Sequence, residues 1–227
     1  MTVPFLSRVA LRRDMPVQAF ARLLVPEGQA QQHGAAHHLL WALFGDIPDR
    51  DRDFLWRQVE PGRYMVLSAR PPVDTHGLFA IESRPFVPAL REGDRLRFLL
   101  RANATIDRKV PGKTRGQRHD VVMDALHHLP REQRAPARGD AVAEAAAAWL
   151  KRQGARAGFM PEASVEVEAY DVLRIARPGG ARASFGIVDL TGDLTVTEPA
   201  DFVTILSRGF GRARAFGCGL MLIRRAG

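Results

Sequence analysis

The chain has 227 residues, 33 Lys and Arg against 25 Asp and Glu, and a formal net charge of +8. That length allows one large or two small domains, and the charge calls for a polyanionic partner. One cysteine, Cys218, excludes an internal disulfide and any multi-cysteine zinc site, and no apolar run reaches the ~18 residues of a membrane helix. The opening is broken by Arg8, Arg12, Arg13 and Asp14, so a cytoplasmic protein is expected, without a membrane or a cofactor as partner. Lysine occurs only at Lys109, Lys113 and Lys151. Preference for arginine can record genome composition, so net charge is the stronger sign.

Val3 to Leu11 is apolar enough for a strand, and an irregular stretch follows to about Ala30. From Gln31 to Phe44 the recurrence of His37, Leu40, Trp41 and Phe44 predicts a helix, ended by Gly45. Strands are predicted over Asp53 to Gln58 and Arg63 to Ala69, turned at Pro61-Gly62. A short helix or loop over Pro71 to His76 precedes a strand from Leu78 to Ser83. Pro85, Pro88 and Gly93 then suggest a boundary, giving domains of residues 1–88 and 89–227.

The second round opens with Asp94 to Ala104, where Leu96, Phe98 and Leu100 alternate with Arg95, Arg97 and, after Leu99, Arg101. This is a strand with one apolar and one basic face. Ile106 to Gln117 reads as basic and turn-rich. Helices follow over Val121 to Leu129 and Gly139 to Gln153, the second capped by Asp140. Ser164 to Ile175 and Arg182 to Val196 form a hairpin across Arg177-Pro178-Gly179-Gly180. A helix capped by Thr197 runs to Arg208, and Cys218 to Arg224 is the last strand, with Cys218 packing as a small apolar residue. Each round has the order β-α-β-β-α-β, the second with an extra helix. The expected class is α+β, two tandem ferredoxin-like units with antiparallel sheets.

The stretch from Gly209 to Gly219 carries Gly209, Gly211, Gly217 and Gly219 with Arg212 and Arg214. Glycines permit close backbone approach to phosphate, and arginines add planar, permanently charged donors. It is neither a Rossmann fingerprint, since Arg214 stands three after Gly211, nor a P-loop. His33 and His37 have the i, i+4 spacing of a two-histidine metal site, with His119-Asp120 available as a third ligand. Gly34, Ala35 and Ala36 leave no H-E-x-x-H glutamate, and no metal is expected. His127 and His128 suit a helix C-terminus. Trp41, Trp56 and Phe98 are expected in the core.

Three segments resemble the CasE family of CRISPR repeat-processing endoribonucleases (RAMP superfamily). They are His37 to Phe44 with Arg52-Asp53-Phe54-Leu55-Trp56, then Gly93 to Asn103, close to G-x-x-L-x-F-x-L-R-A-N, and then the glycine-rich ending. The resemblance implies a metal-independent endoribonuclease acting on the repeat hairpin of precursor CRISPR RNA. It would cut at the 3′ base of that hairpin by 2′-OH attack, leaving a 2′,3′-cyclic phosphate, and stay on the guide RNA as a Cascade subunit. On this resemblance His37 is the catalytic residue, as general acid or base; His33, four residues earlier and on the same face if the helix extends that far, is either a candidate helper or a solvated histidine. Many members carry a tyrosine where this chain has Gly34. The resemblance implies RNA contacts from Arg174, Arg177 and Arg182 of the hairpin; Gly209, Gly211, Arg212, Arg214 and Gly217 of the loop are read as phosphate-binding, and Arg95, Arg97 and Arg101 on one strand face either track phosphates or serve a polar sheet surface. A non-catalytic subunit that binds the repeat hairpin is the alternative, and a basic nucleic-acid protein outside CRISPR a third reading.

Overall fold

The computed structural model describes residues 3–12, 36–45, 52–109, 112, 114, 116–176 and 182–226. The first sheet contains β1 (Phe5–Leu11), β2 (Phe54–Glu60), β3 (Arg63–Ser68) and β4 (Phe79–Pro85), ordered β2-β3-β1-β4. Every pairing in it is antiparallel. Among the described residues helix α1 covers 36–41 and tightens into a 3-10 turn at Ala42–Phe44; the expected beginning at Gln31 lies outside them. Ala36, Leu40, Leu43 and Phe44 pack on Val9, Phe54, Trp56, Tyr64, Val66 and Phe79 of the sheet. Strand alternation sends Leu55 and Arg57 to the opposite face. There Leu55 and Leu67 meet Leu220 of the C-terminal half, so β2 is covered on both faces.

The second half begins with β5 (Arg95–Ala102) and the short hairpin β6 (Thr105–Arg108) and β7 (Gln117–Asp120). Helices α2 (Val121–His127) and α3 (Arg138–Ala157) follow, then β8 (Phe159–Pro161), β9 (Glu166–Ala176), β10 (Arg182–Val196), helix α4 (Pro199–Arg208) and β11 (Met221–Arg225). The sheet order is β11-β5-β10-β8, with β9 also on β10, and all pairs are antiparallel. The apolar face of β5 sends Leu96, Phe98 and Leu100 into a core with Trp149 and Leu150 of α3, Phe202 and Leu206 of α4, and Leu190 and Leu194 of β10.

Several expectations shift in detail. Of the two readings of Pro71 to His76, the loop holds and no helix forms over residues 69–78. The turn-rich stretch supplies the β6–β7 hairpin, and Asp120 at its end caps α2 by accepting from the Val122 and Met123 amides. Asp140 is not the cap of α3. That helix starts at Arg138 behind Ala137, already in helical conformation, which leaves Asp140 in the first turn beside the helix dipole. Thr197 does not cap α4 either, because Pro199 fixes its first turn and Glu198 precedes it. The last strand starts at Met221, and Cys218 before it is wholly buried. Of the three expected core aromatics, Trp56 and Phe98 are wholly buried, whereas Trp41 is half-buried beside His37.

Candidate active site

The inner face of α1 is fixed by Ala36 and Leu40, which leaves His37 on the flank of the helix, half-buried. Its ring lies 6.2 Å from that of Trp41, one turn on, in a stacked arrangement. On another side is Phe216 at 6.1 Å, and Phe216 in turn meets Phe185 of β10 at 5.5 Å. Trp56 of β2 donates its Nε1 to the Ala215 carbonyl at 3.2 Å. Three distant pieces of sequence thus meet here: the first helix and the loop before the last strand at the imidazole, and, through Phe216, the turn end of the long hairpin.

The glycine-rich loop has its own architecture. Helix α4 ends at Arg208, and Gly209 beyond it rests on Leu55. Gly211 has φ 65°, and a Cβ there would stand 2.7 Å from the Asn103 carbonyl oxygen. Gly217 has φ 78°, with Trp56 ring atoms 3.0 to 3.3 Å from where its Cβ would be. Both conformations favour glycine, and both sites lack room for a side chain. Asn103 anchors the loop: its carbonyl accepts from the Arg212 amide at 3.3 Å, and its Nδ2 donates to the Gly186 carbonyl at 2.7 Å. The Arg214 guanidinium turns back on the helix end, donating to the Arg208 carbonyl at 2.7 Å and the Gly211 carbonyl at 3.4 Å. The glycines therefore serve close packing of the loop on β2 and β5, and Arg214 ties its two ends together.

Burial is the main cause that lowers the His37 pKa below its ordinary 6.5, followed by the charges of His38 and Arg52; a hydrogen bond to the Ala215 backbone works against them. Near pH 7 the imidazole is therefore neutral. Its Nδ1 is enclosed without a protein partner. Arg52, just before β2, is half-buried, and its own pKa is lowered by burial and then by Arg214. A histidine whose folded pKa is depressed contributes its full stability above about 6.5, and loses it as pH falls below that value. Because the charge of exposed His38 is one of the causes, His38→Ala should raise the His37 pKa. Histidine-resolved NMR titration measures this directly, and an unmoved His37 titration would exclude the coupling.

The strand arginines are not a free basic stripe. Arg95 forms a two-pronged pair with Glu162 at 2.9 and 2.7 Å, and Arg97 one with Asp193 at 2.9 and 3.4 Å. Arg101 grips Asp189 at 2.7 to 3.1 Å, and Asp189 also accepts from Arg57 of β2 at 3.2 Å. Opposed carboxylates on β10 and the β8–β9 link explain this, and sequence alternation alone could not reveal them. Arg212 is exposed in the loop, and Arg174 is exposed on β9 opposite Ser184. Arg182 opens β10 opposite Ala176. His33, Gly34 and Arg177 lie outside the described residues. Asp120 accepts from the Tyr170 hydroxyl at 2.9 Å as well as capping α2, so it is committed structurally rather than to a metal. Among the described residues no cluster of three metal-ligating side chains occurs. His127 lies in the last turn of α2 and His128 at its C-cap, as expected. Sequence reasoning missed Trp41, Phe185 and Phe216 around the imidazole, and missed Arg52 although it opens the quoted Arg52-Asp53-Phe54 segment.

The family described as "CRISPR associated protein" matches residues 5–225. The chain is 31% identical over 191 residues to the CRISPR system Cascade subunit CasE of Escherichia coli K12, covering 82% of this chain and 88% of the relative. It belongs to the CasE family of CRISPR-associated proteins. Among solved structures, it resembles the CRISPR endoribonuclease Cse3 bound to a 19-nt RNA, with a TM-score of 0.65 and 25% identity over 97% of this chain and 99% of that one. The fold also matches Thermus thermophilus Cse3 bound to an RNA representing a pre-cleavage complex, with a TM-score of 0.67 and 23% identity over 98% and 99%. Within the CasE family, then, this chain joins the first helix to the glycine-rich loop through His37, Trp56 and the Ala215 carbonyl. Among its described residues no helix is long and apolar enough to cross a membrane.

Proposed function

We propose that this CasE-family protein is a metal-independent endoribonuclease that cuts precursor CRISPR RNA at the 3′ base of the repeat hairpin. The observation that carries the reading is the setting of His37: a half-buried, neutral imidazole held against the glycine-rich loop, with the charge of Arg52 acting on it and that of Arg214 acting on Arg52. In the reaction the ribose 2′-oxygen attacks the adjacent phosphorus as its proton leaves. The bond to the 5′-oxygen breaks, and that oxygen takes up a proton. The products are a 2′,3′-cyclic phosphate and a 5′-OH. Neutral His37 is suited to accept the 2′-OH proton, and its position on the helix flank leaves it beside, rather than inside, the apolar core. Positive charge from the loop offsets the charge gathering on phosphate in the transition state.

Two ferredoxin-like units, divided near residue 88, account for the chain: each sheet places its first strand in the centre and its last at an edge, on antiparallel partners. The relatives include an endoribonuclease bound to RNA and a Cascade subunit. By that kinship the partners here are the repeat hairpin and the other Cascade subunits, in the cytoplasm, with the mature guide RNA retained. Arg174, Arg177 and Arg182 grip the stem. Arg212 and Arg214 take phosphates at its base. Arg95, Arg97 and Arg101 contribute least, since each already has a carboxylate.

The test is incubation of the repeat hairpin with the protein in EDTA, where a single cut at the 3′ base is expected. Tight binding without a cut would instead favour the binding-subunit reading, with Gly34 in the tyrosine position as its suspected cause. Removing Arg212 and Arg214 together should weaken binding and lower the slope of log K against log salt by about one to two. An unchanged slope would place the phosphate contacts elsewhere.

A further inference from the structure

Arg52 stands apart from the other buried or half-buried arginines. Arg57 and Arg101 share Asp189. Arg214 spends donors on the carbonyls of Arg208 and Gly211. Arg52 is half-buried, yet among the described residues no carboxylate or carbonyl receives it, and its Nε is sealed from solvent without a partner. Holding a guanidinium partly out of water without an acceptor costs stability, and such a cost persists where an outside anion completes the site. The location identifies the anion. Arg52 sits where β2 begins, two residues before Phe54, whose ring packs against Trp41 at 5.3 Å, and Trp41 stacks on His37. Its charge reaches His37 on one side and meets that of Arg214 on the other.

We propose that the Arg52 guanidinium is the anion-binding group that receives the scissile phosphodiester beside His37. This rests on the ribonuclease reading for the identity of the anion, while the anion site itself does not. In the reaction Arg52 makes no covalent step. Its outward N–H groups bond the non-bridging phosphate oxygens, whose negative charge grows as the 2′-oxygen adds to phosphorus and falls as the 5′-oxygen leaves. A planar fork suits two such oxygens better than a lysine ammonium would. Arg214 spends its Nε and Nη1 in holding the loop against this site, which leaves its Nη2 for a phosphate at the base of the stem.

Two measurements test it. In the first, the free protein is titrated with sulfate, a tetrahedral dianion standing in for the phosphate, at constant ionic strength while the His37 ring signals are followed by NMR. The expected result is a saturable shift of His37 that disappears in Arg52→Ala. No shift in the wild type, or one that persists in the variant, overturns the anion site whatever the cleavage assay gives. In the second, single-turnover cleavage and affinity are measured for the repeat hairpin. Arg52→Ala should slow cleavage by about 10²- to 10³-fold while affinity changes far less, and Arg52→Lys should recover part of the loss. A variant that cuts at the wild-type rate, or loses affinity in proportion to rate, overturns the catalytic role. A wild-type protein that shows the sulfate shift but never cuts leaves the anion site standing and rejects the ribonuclease reading.

Discussion

Under the proposed function, replacing His37 with alanine is expected to stop cleavage of the repeat hairpin and to leave its affinity nearly intact. A positioned proton-transfer group contributes about 10²- to 10⁴-fold to such a reaction, so the residual single-turnover rate falls by at least that factor. Affinity should survive because the proposed contacts are arginines and backbone spread over the loop and hairpin, not one half-buried imidazole. Folding survives too. The inner face of α1 is held by Ala36, Leu40, Leu43 and Phe44, none of which the substitution touches. The informative control is His38→Ala, one residue along and exposed, which keeps its cutting activity. Equal losses of rate and affinity in His37→Ala would show that the ring holds RNA and does not move protons.

The second large effect concerns stability. Asp189 joins the two halves of the chain, accepting from Arg57 of β2 in the first sheet and from Arg101 of β5 in the second. Asp189 and Arg57 are each 8% exposed. Burial lowers the Arg57 pKa, and Asp189 is the largest of the charges that resist this. At Arg101 burial also pulls downward, but the hydrogen bond and charge of Asp189 override it. Asp189→Ala would strand two guanidiniums in this interior at a cost of about 3–5 kcal/mol. Chemical denaturation should report that loss, together with weaker coupling between the halves. Asp193→Ala breaks only the exposed pair with Arg97 and should change stability little. Equal, small effects from both substitutions would mean that the Arg57–Asp189–Arg101 bridge does not hold the sheets together.

Much of the fold was legible because its signals are local. Alternation along Leu96, Phe98 and Leu100 marks β5, and the spacing of Leu40 and Phe44 marks the first helix. What escaped depends on partners far away in sequence. Arg95, Arg97 and Arg101 look like a basic stripe until β10 and the β8–β9 link bring Asp193, Asp189 and Glu162 alongside. The loop glycines invite a phosphate reading, yet Gly211 and Gly217 are required by the Asn103 carbonyl and the Trp56 ring. The site was half legible. His37 stood out by its resemblance to CasE proteins, whereas Trp41, Phe185, Phe216 and Arg52 gather around it only when the chain folds. The three-residue β8 was missed for a similar reason, since Phe159–Pro161 is a strand only through its pairing with β10.

The most direct measurement is mass spectrometry of the RNA ends left after cleavage in EDTA. Attack by the neighbouring 2′-oxygen predicts a 2′,3′-cyclic phosphate on the upstream fragment and a 5′-OH on the hairpin-free downstream piece, both absent with His37→Ala. A 5′-phosphate on the downstream fragment would mean that water attacked instead, and would contradict the mechanism built on His37.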